Sequence, residues 1–346
     1  MSQQLLAITG VSGHVGFRVL VEALTRGHSV RAIIRKAEQA ELIKSTKSIQ
    51  PYLDHLETVV IPDLLVTGAF DGVLDSVNGV IHVASPLAIT SDNLRRDVVE
   101  PAITATLRVL ESAIKVPSVK RVVITSSIAA LLSWEYINSD DVTKVFTARD
   151  TYDPPGPETQ FQSPLHAYGA AKALALQATE RFIKDENPSF DVINIMPSMV
   201  IGRNELNTTK EEVASGTNNN VMGLLLEAKI PMPVLGVSVH VNDVAKAHID
   251  ALNPAIPGNK NFICSSGGLN GTRWDNAKDT AKRYFSKAVS DGFLSLDGTT
   301  ATRPIQLDAS DTEQTFGWKF LGFEDQVKSV LEHYLEFLEA DGQIFP

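Results

Sequence analysis

Short apolar runs alternate with amphipathic stretches up to about residue 130 of the chain. The apolar runs predict strands at Leu5 to Thr9, Ser29 to Ile34, Glu57 to Ile61, Gly79 to Val83 and Arg121 to Thr125. The stretches between them have helical periodicity, most clearly from Val15 to Thr25 and from about Asp97 to Ile114. Near-continuous apolar strands separated by helices predict a parallel sheet that is buried on both faces.

The pattern changes after the fifth predicted strand. Ser133 to Pro164 is polar and aperiodic, and it contains the breaker cluster Pro154-Pro155-Gly156-Pro157. Long irregular segments inside compact domains are often functional. The periodic pattern then resumes, with a helix predicted from about His166 to Lys184 and a strand from Phe190 to Met196.

Beyond Pro197 the alternation weakens. The sequence predicts a loop from Asn204 to Asn220 and short strands at Val237 to Val241 and Phe262 to Ser265. Asn242-Asp243 has the composition of a helix N-cap. Further helices are predicted at Val221 to Ala228, Asn276 to Phe285 and Glu324 to Ala340.

The fold class that follows is α/β, a Rossmann-type doubly wound parallel sheet with a smaller C-terminal α/β substrate lobe. We expect residues 1–197 plus about 237–265 to form the nucleotide domain. The substrate-binding lobe would comprise about 198–236 plus 266–346.

Composition limits the partners and the compartment. The chain has 346 residues and a formal net charge of -10, which disfavours nucleic acid and anionic membrane surfaces. Its single cysteine, Cys264, allows no intrachain disulfide. Met1 to Gln4 lack a basic region, and no apolar run approaches the roughly 18 residues of a membrane span. We therefore expect a cytoplasmic protein. His14, His82 and His240 lack metal-ligand spacing, so no metal is expected.

A glycine-rich turn follows the first predicted strand. It consists of Gly10, Val11, Ser12, Gly13, His14, Val15 and Gly16. Glycines at this spacing permit a tight turn and close backbone approach to a pyrophosphate, while the N-terminus of the following helix attracts anions. The alternative is an ordinary glycine-rich turn, but its place on the first strand-turn-helix unit favours dinucleotide binding.

The end of the second predicted strand indicates which dinucleotide binds. NAD enzymes usually have an acid there, but this chain has Arg35 and Lys36. Cations at this position suit the 2′-phosphate of NADPH. Asp63 and Leu64, at the end of the third strand, are candidate adenine contacts, although Asp63 has an equally good alternative as a helix N-cap.

Three polar residues make a candidate catalytic set. Tyr168 and Lys172 are four residues apart, on one face of a predicted helix. A nearby ammonium favours the phenolate and so makes the phenol a better acid. Ser127, at the end of the fifth strand, could polarise a substrate carbonyl, the alternative being strand-end capping.

These motifs together resemble the extended short-chain dehydrogenase/reductases, closest to the dihydroflavonol-reductase-like branch. The resemblance covers nearly the whole chain and includes Val80-Ile81-His82-Val83-Ala84-Ser85-Pro86 and Val239-His240-Val241-Asn242-Asp243. It implies hydride transfer from NADPH to an aldehyde or ketone, in a monomer or a homodimer. It also implies cofactor contacts from Val83, Ala84, Ser85, Thr125, Tyr168, Lys172, Pro197, Ser198, Met199 and Val200.

The chain departs from this family pattern in four ways, one of which is that the tryptophan often found near Asp150-Thr151-Tyr152-Asp153 is missing. Arg203 replaces a usual proline, the stretch from Trp134 to Phe146 is long, and the signature of cinnamoyl-CoA reductases is absent. A CoA thioester substrate is therefore not expected. The expected pocket walls are apolar, with core packing as the alternative for each residue: Pro86, Leu87, Ile128, Ala129, Met199, Met222, Leu225 and Leu226.

Two other functions remain open. An NAD-retaining nucleotide-sugar epimerase or dehydratase could use the same fold, but Ile128-Ala129 stands where dehydratases carry acids, and Arg35 stands where epimerases favour one. A non-catalytic NADP sensor is the second alternative, although a sensor would not need the phenol of Tyr168.

Overall fold

A computed structural model of the protein describes residues 3–342. The strands are β1 Leu5–Thr9, β2 Ser29–Ile34, β3 Leu56–Val60, β4 Gly79–His82, β5 Arg121–Thr125, β6 Val145–Phe146, β7 Asp191–Pro197, β8 Met199–Ile201, β9 Lys229–Leu235, β10 Ser238–His240, β11 Lys260–Cys264, β12 Thr299–Arg303 and β13 Gln306–Leu307. The helices are α1 His14–Thr25, α2 Glu38–Ser45, α3 Glu100–Ala113, α4 Trp134–Ile137, α5 Pro164–Glu186, α6 Lys210–Val213, α7 Asn219–Leu225, α8 Val241–Asp250, α9 Asn276–Tyr284, α10 Ser286–Ser290, α11 Ser310–Phe316 and α12 Phe323–Ala340.

Seven strands form the central sheet, in the order β11-β7-β5-β4-β1-β2-β3. The pairs β3–β2, β2–β1, β1–β4, β4–β5 and β5–β7 are all parallel. From β1 the chain runs outward through β2 and β3, then returns to place β4 on the other side of β1. This reversal is a topological switch point, where open α/β sheets bind ligands at the carboxyl ends of their strands. The predicted Rossmann-type α/β fold class is confirmed.

Burial explains why the apolar pattern located these strands. Leu6, Ala7 and Ile8 of β1 are wholly inaccessible to solvent, because helices cover both faces of the sheet. The helix α1 turns Phe17 and Leu20 inward, as its 3.6-residue period predicts.

Arg121, at the start of β5, ties together distant parts of the chain. Its Nη1 donates to the carbonyl oxygens of Ala251, Asn253 and Ile256 at 2.9 to 3.0 Å. Its Nη2 donates to Asp191 Oδ2 at 2.9 Å, at the start of β7. The guanidinium is buried, so these acceptors supply the hydrogen bonds that water would otherwise provide.

The chain divides into two compact units. The first comprises 1–141, 148–196 and 245–263, and the second comprises 142–147, 197–244 and 264–346, with residues 1–2 and 343–346 outside the described range. The sequence-based division had placed 237–244 in the first domain, whereas that segment lies in the second unit. The second unit has its own core around Trp274, and its strands pair in parallel as β8–β10, β9–β12 and β6–β13.

Local predictions were weakest where periodicity was weak. The predicted loop from 204 to 220 contains α6, whose N-terminus is capped when Thr209 Oγ1 accepts from Glu212 N. The N-cap prediction for Asn242-Asp243 was wrong, because α8 already begins at Val241. Asp243 instead accepts a hydrogen bond from the Leu321 backbone N–H at 2.7 Å.

Among residues 3–342, no helix is long and apolar enough to cross a membrane. Within the same range, no group of three or more His, Cys, Asp or Glu side chains is placed to hold a metal ion.

Candidate active site

The glycine turn lies at the switch point of the sheet. Gly10 has φ +76°, and a Cβ there would stand 2.7 Å from the backbone nitrogen of Ala84, just past β4. A Cβ on Gly16 would lie 2.0 Å from Gly10 O. Gly10 must be glycine because of its positive φ and its contact with Ala84. Gly16 must be glycine because α1 packs closely on the turn. A Cβ on Gly13 would meet only Gly10 O, at an ordinary 3.5 Å, so this face of the turn is open.

The N-terminus of α1 has the character of an anion site. Gly13 is its N-cap, no side chain caps it, and its first turn contains no acid. Val11 is buried beneath the turn, and His14 and Val15 begin the helix. The helix dipole is therefore not offset by a local carboxylate.

Gln39 joins the glycine turn to the end of β2. Its Nε2 donates to Ser12 Oγ at 3.0 Å, and its Oε1 accepts from the backbone nitrogens of Arg35 and Lys36 at 3.0 and 3.1 Å. Both cations are exposed, and Arg35 has no ion-pair partner among residues 3–342. Lys36 has only a loose pairing with Glu38, with Nζ and Oε1 3.9 Å apart.

Asp63 and Leu64 occupy a turn beyond β3. Asp63 Oδ1 accepts from Leu65 N at 2.8 Å, and no α-helix begins there, so Asp63 caps a turn rather than a helix. Leu64 packs against the sheet core.

Thr9, the last residue of β1, fixes the chain beyond β4. Its Oγ1 accepts from the backbone nitrogens of Val83 and Ala84, both at 3.1 Å. These two bonds use both lone pairs, so the hydroxyl proton is donated to His82 Nδ1, 2.9 Å away. The imidazole therefore carries its proton on Nε2, which has no hydrogen-bond partner among the described residues. Burial and the charge of Lys172 lower the His82 pKa to about 3, so the ring is neutral.

Lys172 is buried beside these strand ends. Its Nζ donates to Ser85 Oγ at 3.1 Å and to the Thr125 carbonyl oxygen at 3.2 Å. Burial lowers the pKa of the ammonium to about 8. The Thr125 side chain is engaged elsewhere, since its Oγ1 lies 2.7 Å from His248 Nε2.

Tyr168 lies close to both Ser127 and the Lys172 ammonium. The phenol hydrogen-bonds with the Ser127 side chain, which favours the phenolate, but burial has the larger effect and raises the Tyr168 pKa. The Lys172 Nζ lies 5.7 Å from the centroid of the tyrosine ring. The Tyr168 pKa is therefore raised, whereas the sequence predicts that Lys172 lowers it, because burial outweighs the opposing effect of Ser127.

Ser127 also performs the capping role that the sequence left as its alternative. Its Oγ accepts from Ala129 N at 3.1 Å and begins the short 3-10 helix Ile128–Ala130. One hydroxyl thus binds both the backbone and the phenol.

The turn after β7 lies in the second unit. Pro197 ends β7, and Ser198 N donates to Cys264 O at 2.9 Å. The Ser198 hydroxyl is buried and has no partner among the described residues. Met199 and Val200 continue into β8, where Met199 Sδ accepts from Asn220 Nδ2 at 3.3 Å.

Several predicted pocket walls belong to the core instead. Met222 and Leu225 are completely buried in the core of the second unit, and Ile128 is almost as buried. Leu87 and Leu226 are exposed, at 71% and 40%. Sequence reasoning missed the Thr9–His82 pair, although a threonine beside the glycine turn and a histidine at the end of a buried strand were the available signals.

These features together suit a dinucleotide. The open Gly13 face, the uncapped N-terminus of α1 and Arg35, which has no ion-pair partner among residues 3–342, each offer a donor or a cation to a phosphate-bearing ligand.

A seven-stranded doubly wound sheet with a glycine turn at its switch point places the protein in the Rossmann-type α/β class. Residues 6–263 match the NAD dependent epimerase/dehydratase family. The chain belongs to this family, that of the extended short-chain dehydrogenase/reductases.

Curated relatives include two ketoreductases that cover nearly the full chain. It is 36% identical to Ketoreductase CTB6 of Cercospora nicotianae, covering 99% of this chain and 98% of the relative. It is 32% identical to Ketoreductase sphI of Aspergillus fumigatus, covering 97% and 99%. It is also 31% identical to Cinnamoyl-CoA reductase CAD2 of Medicago truncatula, covering 72% and 73%.

Solved structures share the fold. Yeast methylglyoxal/isovaleraldehyde reductase Gre2, complexed with NADPH, has a TM-score of 0.81 at 22% identity, covering 98% of this chain and 100% of that one. Vestitone reductase from alfalfa has a TM-score of 0.73 at 20% identity, covering 99% and 100%.

Replacing Thr9 with valine tests its place in the site. Thr9→Val keeps the shape but leaves the Val83 and Ala84 N–H groups without their acceptor. These donors are partly buried, and an unsatisfied buried donor costs about 1–3 kcal/mol, so we expect the free energy of unfolding to fall by roughly 2 kcal/mol in urea titration. Thr9→Ser keeps the hydroxyl and should lose less than about 1 kcal/mol. Equal stability of the two variants would contradict this account.

Proposed function

We propose that the protein reduces an aldehyde or ketone to its alcohol, with NADPH as cofactor. The observation that carries the proposal is that Tyr168 lies beside Ser127 and the buried Lys172, at the carboxyl edge of the sheet. This arrangement supplies both a hydrogen-bond donor for a carbonyl oxygen and a proton for the alkoxide that forms.

The cofactor would be held by residues of the glycine turn and the neighbouring strand ends. Gly10 to Gly16 would contact its pyrophosphate, Arg35 and Lys36 its 2′-phosphate, and Asp63 and Leu64 its adenine. Ser85, Thr125 and the turn from Pro197 to Val200 would complete the site. When bound, NADPH supplies the hydride.

Each catalytic side chain has a distinct task. Ser127 donates to the substrate oxygen and orients it toward Tyr168, which gives its phenolic proton to that oxygen. Lys172 then faces a phenolate rather than a neutral phenol, and its positive charge stabilises that anion. The raised Tyr168 pKa keeps the proton on the phenol until the substrate oxygen becomes basic.

The relatives support reduction over the other functions. Two full-length relatives are named ketoreductases, and Gre2 is a reductase that binds NADPH. A nucleotide-sugar epimerase is less consistent with an unpaired Arg35 at the end of β2, and a dehydratase with Ile128-Ala129 after Ser127. A non-catalytic sensor would have no use for the Ser127–Tyr168 bond.

The second unit is our candidate for the substrate-binding lobe. We further propose that the enzyme works in the cytoplasm on a small-molecule carbonyl, as a monomer or a homodimer.

Removing the phenolic proton tests the mechanism. Tyr168→Phe should lower kcat for carbonyl reduction by at least about 10²-fold, the usual contribution of a positioned acid. NADPH binding, followed by fluorescence titration, should stay within about threefold of the wild type. Turnover close to the wild-type rate would rule out Tyr168 as the acid.

Reversing the charge at Arg35 tests the cofactor preference. Arg35→Asp should raise the Kd of NADPH by about 10- to 100-fold, equivalent to roughly 1.5–3 kcal/mol for a charge-assisted hydrogen bond. The Kd of NADH should change little. Lys47→Asp makes the same charge change at another exposed position and should leave both constants unaltered. An equal loss for both cofactors would count against 2′-phosphate recognition.

The pKa of Lys172 sets the pH dependence. Its ammonium is intact below a pKa of about 8 and is lost above it, so the charge that stabilises the phenolate disappears as pH rises. We expect kcat for reduction to fall above about pH 8. Lys172→Arg keeps its charge throughout and should remove this limb from its pH profile, even if its maximum rate is lower. A wild-type rate that stays constant to pH 9.5 would contradict the assignment.

A further inference from the structure

A small cavity lies beside Lys172 in the first unit. Its wall is formed by residues of β4, β5 and β7 and of the helices α3 and α5. Its volume is about 10 Å³. A buried water molecule needs roughly 10–15 Å³, so the cavity has room for one water and for little else. Polar side chains in its wall include His82, Thr106, Lys172, Thr179 and Asn194.

The wall of this cavity holds two buried N–H donors. His82 is 2% exposed, and its Nε2–H has no hydrogen-bond partner among the described residues, because the Thr9 hydroxyl binds the other ring nitrogen. Lys172 is 7% exposed, and two of its three N–H groups donate to Ser85 Oγ and to the Thr125 carbonyl oxygen. Its third N–H has no acceptor in the described part of the chain. A buried donor is costly when it lacks an acceptor, and one ligand with two lone pairs would satisfy both.

The same wall also offers acceptors. Thr106 and Thr179 each donate their hydroxyl proton to a backbone carbonyl of their own helix at 2.9 Å, so the hydroxyl oxygens can still accept. Asn194 Nδ2 donates to Asn261 Oδ1 at 2.9 Å, which leaves Asn194 Oδ1 as an acceptor. A ligand in this cavity can therefore both accept and donate hydrogen bonds.

The charges around the cavity favour a neutral ligand. His82 and Lys172 are the titratable side chains of its wall, which contains no carboxylate, and Tyr168 lies near the ammonium with its ring centroid 5.7 Å from Nζ. A cation would be repelled by Lys172, and an anion would meet the acceptor oxygens of the wall. Water, with two lone pairs and two protons, matches both the donors and the acceptors.

We infer that the cavity binds one water molecule, which accepts hydrogen bonds from His82 Nε2–H and from Lys172 Nζ. His82 is then a positioning residue, because through this water it holds the third N–H of the ammonium and helps to keep the charge beside Tyr168. The consequence for catalysis rests on the proposed carbonyl reduction, whereas the water site itself does not.

A high-resolution crystal structure of the wild-type protein tests the site directly. It should show one ordered oxygen within hydrogen-bond distance of both His82 Nε2 and Lys172 Nζ. In NMR spectra of ¹⁵N-labelled protein, the His82 ring should carry its proton on Nε2, and that proton should show an Overhauser contact with water. A proton on Nδ1, or no oxygen at this position, would overturn the inference. So would an anomalous peak there in crystals soaked in bromide, since it would identify an anion site.

Two substitutions separate the roles of the two ring nitrogens of His82. His82→Asn can still accept from Thr9 but is too short to donate into the cavity, whereas His82→Gln can place an amide N–H near the position of Nε2. A hydrogen bond to the ammonium favours its charged form, so losing the water should lower the pH midpoint of Lys172. We expect His82→Asn to lower this midpoint by about 0.5–1 pH unit, the usual effect of one hydrogen bond, and His82→Gln to lower it by less than about 0.3.

The midpoint is measured by ¹³C NMR of protein labelled at the lysine Cε, with Lys172→Arg identifying the resonance. His28→Asn is the matched control, because His28 is also a buried histidine but does not line the cavity. Its Lys172 midpoint should equal that of the wild type. An unchanged midpoint in His82→Asn, or an equal shift in His82→Gln or His28→Asn, would contradict the role assigned to His82.

Turnover separates this inference from the proposed function. In His82→Asn the falling limb of kcat for reduction of 2,3-butanedione should move to lower pH by the same amount as the NMR midpoint. If the wild type reduces no carbonyl compound while the midpoint shifts as expected, the carbonyl reduction fails and the water site stands. If reduction proceeds and the midpoint of His82→Asn does not move, only the water site fails.

Discussion

A buried ammonium is the constraint on which the site depends. Lys172 can remain charged out of water only if acceptors surround it, and two of them come from the ends of neighbouring strands, Ser85 beyond β4 and Thr125 on β5. Their separation is set by the β4–β5 register. Thr9 holds the backbone at Val83 and Ala84, so β1 also helps to fix where the charge lies. The pairing of the strands therefore determines where the positive charge of Lys172 lies in the site.

Burial shifts the pKa values of Tyr168 and Lys172 in opposite directions. Burial raises the pKa of the Tyr168 phenol and lowers that of the Lys172 ammonium, so each is pushed toward its uncharged form. In the pair, the phenol retains its proton, and the amine loses its charge only as the pH rises above about 8. A positive charge near the tyrosine would favour the phenolate, and a basic oxygen would accept the phenolic proton. The protonation of Tyr168 therefore depends on what is bound.

Sequence patterns predicted what depends on local periodicity. The buried strands and α1 were located to within a residue or so, because burial on two faces produces continuous apolar runs. The tautomer of His82 and the core positions of Met222 and Leu225 arise from contacts between distant segments, which periodicity does not encode. Asp243 shows the same limit. Its residue type predicts a helix N-cap, but it accepts a hydrogen bond from the backbone of Leu321, far along the chain.

The hydrogen bonds of Arg121 have a consequence for biosynthesis. Three of its acceptors, at 251, 253 and 256, emerge from the ribosome only after residues 197–244 of the other unit have been made. The edge strand β11 emerges later still. The nascent first unit therefore carries a guanidinium that has only Asp191 as an acceptor, and an uncovered strand edge, during that interval. Such intermediates aggregate readily, so this interval of translation is when the chain most needs chaperone protection.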